Sequence, residues 1–187
     1  MDIFIRKLEI EDLNAIPEID DSFTVDSKLV LSLAAMNQRI EYIVKEIQSY
    51  EKNYSEGIYN EDQEGDLDYN EYINNPNKII FLAFMNQRMI GMIILKRNWN
   101  SFAYVEDIKV DKQFRQLGVG RKLIEQAKHW AQACEMPGIM LETQSNNVRA
   151  CKFYESCGFV IGGFDFLVYK GMNEQSDEVA IYWYLRF

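Results

Sequence analysis

A chain of 187 residues, 48% of them hydrophobic, is long enough to bury a full core, and a single domain over residues 1–187 is the expectation. Its formal net charge of −9 argues against nucleic acid or an anionic membrane as partner, since phosphate neutralisation by lysine and arginine drives such binding. Three cysteines (Cys134, Cys151, Cys157), a charged Met1–Lys7 start and the lack of any membrane-length apolar run suggest free thiols in a reducing cytoplasm.

Met1–Leu8 reads as a first strand and Glu9–Ile19 as a short helix with an acidic start. Phe23, Val25, Leu29, Leu31 and Leu33 then alternate, and Ile40, Tyr42 and Val44 continue the period after a polar turn near Asn37-Gln38. This reads as a hairpin, although Ile40, Ile43, Val44 and Ile47 fit a helical period as well.

From Asn53 to Asn77 there is no lysine or arginine, while Glu56, Glu61, Asp62, Glu64, Asp66, Asp68 and Glu71 accumulate. Such a run is usually a solvated flank, here a loop or short helix. Tyr54, Tyr59, Tyr69 and Tyr72 are interleaved with it, and aromatic faces beside carboxylates attract ammonium groups.

Lys78–Asn86 and Met89–Asn98 form a second hairpin turning at Asn86-Gln87, followed by a strand over 104–110. A helix runs from Gly118 to Cys134, with Val119, Leu123, Ala127, Trp130 and Ala131 at helical spacing. Gly138–Gln144 is a strand, Asn147–Ser156 a helix stopped by Gly158, and Phe159–Tyr169 and Val179–Phe187 two closing strands. The elements suggest an α/β sandwich, mostly antiparallel, with one parallel pair joined by the helix at 118–134. Cys151 and Cys157 lack the paired spacing of a zinc site and His129 is the only histidine, so neither a metal centre nor a histidine triad is expected.

Between the strand at 104–110 and its helix stands Arg115-Gln116-Leu117-Gly118-Val119-Gly120. Glycines let the amides there point at a ligand without shielding by Cβ, and a helix N-terminus favours phosphate. A strand-to-helix turn that needs glycine only for geometry accounts for the motif equally well. Leu123 excludes the third glycine of a dinucleotide fingerprint, and Gly120-Arg121-Lys122 is not the Gly-Lys-Ser/Thr of a nucleoside-triphosphate loop.

The Arg-x-x-Gly-x-Gly pattern resembles the coenzyme A pyrophosphate loop of the GNAT acyltransferase superfamily. A second motif, Asn147-x-x-Ala150-x-x-Phe153-Tyr154-x-x-Cys157-Gly158-Phe159, closely resembles a later signature of the same superfamily, in the expected order and at the expected distance. Lys96–Asn100, Tyr104–Ile108, Leu141–Gln144, Ala150–Tyr154 and Trp183–Phe187 look like the streptothricin acetyltransferases within it, as does the acidic tract. In those proteins a hairpin occupies the region of Phe23–Val44, which favours strands there.

The resemblance implies a GNAT fold, an α+β mixed sheet flanked by helices, with a parallel pair splayed at the acyl-coenzyme A site. It implies transfer of acetyl from acetyl-CoA, without a metal, to a primary amine of a cationic small molecule such as streptothricin, whose β-lysine amine is the expected acceptor. The amides of Gln116, Leu117, Gly118, Val119, Gly120 and Arg121 would hold the pyrophosphate, with Arg115 beside them. Backbone of Ile108, Lys109 and Val110 would pair with the pantetheine arm, joined by Asn147, Ala150, Phe153 and Tyr154. The locally basic set Lys109, Lys112, Arg115, Arg121, Lys122 and Lys128 suits such an anionic co-substrate.

Tyr154 would protonate the departing thiolate; a phenol near pKa 10 giving a proton to a thiol near 8.5 costs roughly 2 kcal/mol. A tyrosine filling the helix–sheet gap is the plainer alternative. An acceptor ammonium near pKa 10 must also lose a proton, at about 4 kcal/mol at pH 7 without help. Glu106, Asp107 and Glu142 are candidates for that base or for ammonium binding, and each could instead serve a neighbouring turn or pair with Lys109. Period-two geometry puts Glu106 on the face of Ile108 and Asp107 on the other.

Asp62, Glu64, Asp66 and Asp68, with the tyrosines, would line a cationic substrate's entrance. Two rival functions stand: acetylation of a protein N-terminus, lysine or polyamine, and a non-catalytic coenzyme A-binding module. The aromatic content leaves a homodimer open.

Overall fold

The computed structural model describes residues 2–13, 15–34, 39–53 and 68–187. They fall into two compact units, one of Met1–Ser22, Asn53–Ile139 and Phe187, the other of Phe23–Lys52 and Met140–Arg186.

The first unit is built on β1 (Phe4–Lys7), β4 (Lys78–Met85), β5 (Arg88–Arg97) and β6 (Ala103–Val110), hydrogen-bonded antiparallel in that order. Asn86 and Gln87 take φ of 48° and 66°, the left-handed pair of a tight hairpin turn whose twist matches its strands. Ile79–Ala83 and Met89–Leu95 are buried without a break, as in strands covered on both faces. One cover is a cluster in which Leu8 and Tyr72 meet Ile80, Leu82, Met89, Met92 and Ile94, with Leu13, Ile16 and Ile19 against it. Helix α1 (Val119–Ala133) packs on β4, β5 and β6, burying Val119, Leu123, Ile124, Ala127, Trp130 and Ala131.

The second unit holds the hairpin β2 (Phe23–Ala34) and β3 (Arg39–Lys52), so the alternation and not the helical period wins there. It also holds most of β7 (Gly138–Gln144), with β8 (Val160–Asp165) and β9 (Ala180–Arg186) in the order β7-β9-β8, and helix α2 (Val148–Ser156), which packs on β2.

Two expected elements are shorter than the sequence suggests. In place of a helix over Glu9–Ile19 there is a single 3-10 turn, Ile10–Asp12. Pro17 lacks an N–H and disfavours helical backbone at Ile16. Asp12 is drawn back instead, accepting from the Glu9 N–H at 2.9 Å and from both Arg6 terminal nitrogens at 2.6 and 2.7 Å. The strand expected over Phe159–Tyr169 stops at Asp165, whose Oδ1 accepts from the N–H groups of Leu167 (2.7 Å) and Val168 (3.3 Å). That turn leads into a 3-10 turn, Val168–Gly171.

Candidate active site

In the first unit β6 runs into the glycine loop. Asp111 is buried and opens the turn, accepting from the Gln113 N–H and from Arg88 Nη2, both at 2.9 Å. Arg115 follows, and its guanidinium donates to the carbonyls of Val110 (3.1 Å), Ser22 (2.7 Å) and Asp20 (3.5 Å). Its donors therefore hold the loop against the segment before β2, a structural task the phosphate expectation did not include.

Gln116 and Gly118 both take left-handed φ, 64° and 85°, which re-aims the backbone so that α1 starts at Val119. Gly118 supplies no side-chain cap to the first turn. Helical geometry gives the opening N–H groups no partner inside the helix. A Cβ on Gly118 would meet nothing within 4 Å among the described residues, so the space beside this residue is clear. This arrangement fits a phosphate-bearing co-substrate. The side chain of Lys109 lies 3.3 Å from Asp107 and 3.4 Å from Asp21, so of this residue the backbone is the part left for a ligand.

The three candidate acids have different surroundings. A register shift between Ile94 and Leu95 pairs them with Asp107 and Val105, leaving Glu106 as the extra residue of a β-bulge. The bulge interrupts the strict alternation assumed for Glu106 and Asp107. Glu106 accepts from the Tyr72 hydroxyl at 2.6 Å and is ion-paired with Lys96 at 2.5 Å, so both its oxygens are engaged. Burial, and after it the bond to Glu106, holds the Tyr72 phenol protonated far above its ordinary range. Asp107 is pushed up by burial, an effect that Lys109 opposes.

Glu142, on β7 in the second unit, touches no cation among the described residues. Its Oε1 accepts from the Tyr169 hydroxyl at 2.5 Å, and Oε2 has no partner among the described residues. Burial pushes its pKa up and the Tyr169 bond pulls it down; Glu178 raises it and Lys52 lowers it further. A half-buried carboxylate with a spare oxygen and a raised pKa is the form a proton acceptor takes.

The second motif also lies in this unit. Asn147 caps α2, its side chain accepting from the Ala150 N–H at 3.1 Å. One helical turn on, Tyr154 is 6% exposed, with ring centroids 5.4 Å from Phe153, 5.8 Å from Phe159 and 6.3 Å from Trp183. Burial pushes the neighbouring Cys151 thiol up to about 12, so it stays protonated and inert at neutral pH.

Of the acids expected at the substrate entrance, Asp62, Glu64 and Asp66 lie outside the described residues, as do Tyr54 and Tyr59. Asp68 caps the 3-10 turn Tyr69–Tyr72, accepting from the Asn70 N–H at 2.9 Å. Sequence reasoning missed Tyr72, Lys96 and Tyr169 as partners of the candidate acids. Asp165, a turn-forming residue inside an expected strand, is the signal that could have exposed Tyr169 as a turn residue instead of a strand residue.

A sequence model of the acetyltransferase (GNAT) family matches residues 43–159. Streptothricin acetyltransferase A of Bacillus subtilis is 36% identical over 137 residues, 73% of this chain and 78% of that protein. The streptothricin acetyltransferase of Escherichia coli is 37% identical over 155 residues, 83% and 81% of the two chains. Human N-alpha-acetyltransferase 30 is 29% identical over 96 residues, 49% of this chain and 26% of that protein. Among solved structures, a Bacillus anthracis protein provisionally described as a streptothricin acetyltransferase, in complex with acetyl coenzyme A, is 61% identical. It covers 100% of both chains with a TM-score of 0.90. The fold is of the same class: a mixed sheet, mostly antiparallel with one parallel pair, together with two helices. Among the described residues no helix is long and apolar enough to cross a membrane.

Proposed function

Because this chain belongs to the acetyltransferase (GNAT) family, we propose that it transfers the acetyl group of acetyl-CoA to a primary amine of a cationic antibiotic of the streptothricin type. The observation that carries the reading is the 61% identity, over the whole of both chains, to a protein solved with acetyl coenzyme A. Residues 1–187 act in this reading as one acetyltransferase domain, since the family match at 43–159 draws on both compact units.

The backbone amides of Gln116–Arg121 hold the pyrophosphate, with the α1 dipole behind them. Backbone of Ile108, Lys109 and Val110 serves the pantetheine arm, and Arg115 keeps the loop in shape. Asn147, Ala150 and Phe153, at the start of α2 and one turn on, complete the set for that arm. Acetyl-CoA supplies an activated acyl group on a good leaving thiolate. The residues of the chain manage two protons.

Glu142 takes the proton from the acceptor ammonium on its spare oxygen, and the free amine then attacks the acyl carbon. Tyr154 gives its phenolic proton to the departing sulfur, and the second proton that the nitrogen sheds on becoming an amide returns to the phenolate. Glu106 and Asp107 are less suited to the first step, because each already neutralises a lysine. Direct transfer is favoured over an acyl-cysteine, since a protonated Cys151 is a poor nucleophile.

Thiol release from acetyl-CoA, measured with streptothricin, a peptide N-terminus, free lysine and a polyamine, tests this function. The expected result is release with streptothricin that falls by roughly 10²- to 10⁴-fold in Tyr154→Phe. Release with the peptide alone would transfer the assignment to N-terminal acetylation, the activity named for the human relative. Acetyl-CoA binding without turnover on any amine would leave a binding module.

A further inference from the structure

Tyr169 occupies an unusual position for a tyrosine on an otherwise exposed turn. Its neighbours Leu167 and Met172 are 70% and 60% exposed, yet Tyr169 itself is 6% exposed. The turn is fixed from both sides. Asp165 binds the N–H groups of Leu167 and Val168, and the Tyr169 carbonyl accepts from Met172 (3.2 Å) and Asn173 (3.0 Å). A side chain thrown inward from so constrained a turn has one hydroxyl to place, and it places it on Glu142 Oε1 at 2.5 Å.

We propose that Tyr169 is a positioning residue for the transfer reaction, its hydroxyl holding Glu142 ionised and turned so that Oε2 faces the acceptor ammonium. The proposal rests on the reading of Glu142 as proton acceptor. Phenol donation to one carboxylate oxygen fixes the plane of the group and leaves the second oxygen as the site of protonation. The first proton released by the ammonium ends on Oε2, and the nitrogen lone pair forms the bond to the acyl carbon as the carbon–sulfur bond breaks. The sulfur takes its proton from Tyr154, whose phenolate receives the second proton of the nitrogen.

The groups that bear on Glu142 come from every element around it. Tyr169 favours its charged form. Lys52, at the end of β3, does so more weakly, because its ammonium is already bound to Glu178 at 2.6 Å. Glu178, just before β9, opposes it as a like charge, and Asn146 Nδ2 holds that carboxylate at 3.0 Å. Tyr182 on β9 and Cys151 on α2 are themselves pushed up, in part by Glu142, and stay neutral. Removing Tyr169 or Glu178 therefore shifts the ionisation of Glu142 in opposite directions, a response that a merely structural contact does not give.

The experiment is the pH profile of kcat/KM for streptothricin acetylation by the wild type, Tyr169→Phe, Glu178→Gln and Glu142→Gln, each with a thermal melt. Tyr169→Phe is expected to move the acidic limb up by about one pH unit, the worth of a hydrogen bond to a charged group, with the rate recovering at high pH. Glu178→Gln is expected to move that limb down, and Glu142→Gln to remove it. An acidic limb unmoved in both Tyr169→Phe and Glu178→Gln, with Glu142→Gln behaving as expected, overturns the role of Tyr169 alone. A Glu142→Gln variant with wild-type rate and profile overturns the reading beneath it. A Tyr169→Phe variant that only melts earlier, with the limb in place, reduces the contact to packing.

Discussion

In the proposed function Arg115 serves the co-substrate without touching it. Three carbonyls from two separate segments converge on one guanidinium, and only arginine presents enough planar donors to bind them together. The loop that follows carries two left-handed residues, Gly118, which adopts that backbone freely, and Gln116, whose unfavourable backbone needs such external fixing. Arg115→Met is therefore expected to lower the melting temperature and raise the KM for acetyl-CoA together. Losing hydrogen bonds to partly buried carbonyls costs roughly 1–3 kcal/mol. Arg115→Lys recovers little, because one ammonium cannot span the same three acceptors. If calorimetry found an unchanged melting temperature while KM rose, Arg115 would be a direct phosphate ligand and the loop would be fixed by other means.

At the scale of elements, the close approach of β8 to β9 makes a second test. A Cβ on Gly162 would lie 2.4 Å from the Tyr184 ring, and a register shift between Ile161 and Gly163 places this glycine in a bulge. Gly162→Ala must displace the ring or the strand, at a cost of about 1–3 kcal/mol. An unshifted denaturation midpoint would show that Tyr184 swings aside freely.

Elements with one dominant signal were legible in the sequence. The Asn86-Gln87 turn and the helices at 119–133 and 148–156 follow from local chemistry alone, while the capping role of Asn147 was not foreseen. The hairpin at 23–52 was ambiguous because its apolar residues satisfy both periods, and pairing over a long register decided it. The failures were at Glu9–Ile19, where a proline and a back-bonded aspartate outweighed an acidic helix start, and at Phe159–Tyr169, where a side-chain turn ended the strand. The site divided in the same way. The glycines of the loop are backbone devices and show in sequence, whereas the hydroxyls that engage Glu106 and Glu142 arrive from 34 and 27 residues away.

At the scale of the whole molecule, a protein of net charge −9 must attract both an anionic co-substrate and, in the proposed function, a polycationic acceptor. The first is met locally, by uncapped helix amides that carry partial positive charge wherever the net charge lies. The second draws on the long-range field, which speeds the encounter of a cation with an acidic surface and falls off over about 8 Å at physiological ionic strength. Asp62, Glu64 and Asp66 concentrate that field in one stretch of sequence, while Asp68 already serves its own turn. Replacing the first three together by Asn or Gln is expected to raise the KM for streptothricin several-fold at low salt and to flatten its salt dependence. The KM for acetyl-CoA should hold steady or fall slightly as the repulsive charge is removed. An unchanged streptothricin KM at low salt would mean that the acidic tract is a solvated flank and that the acceptor is chosen by contacts alone.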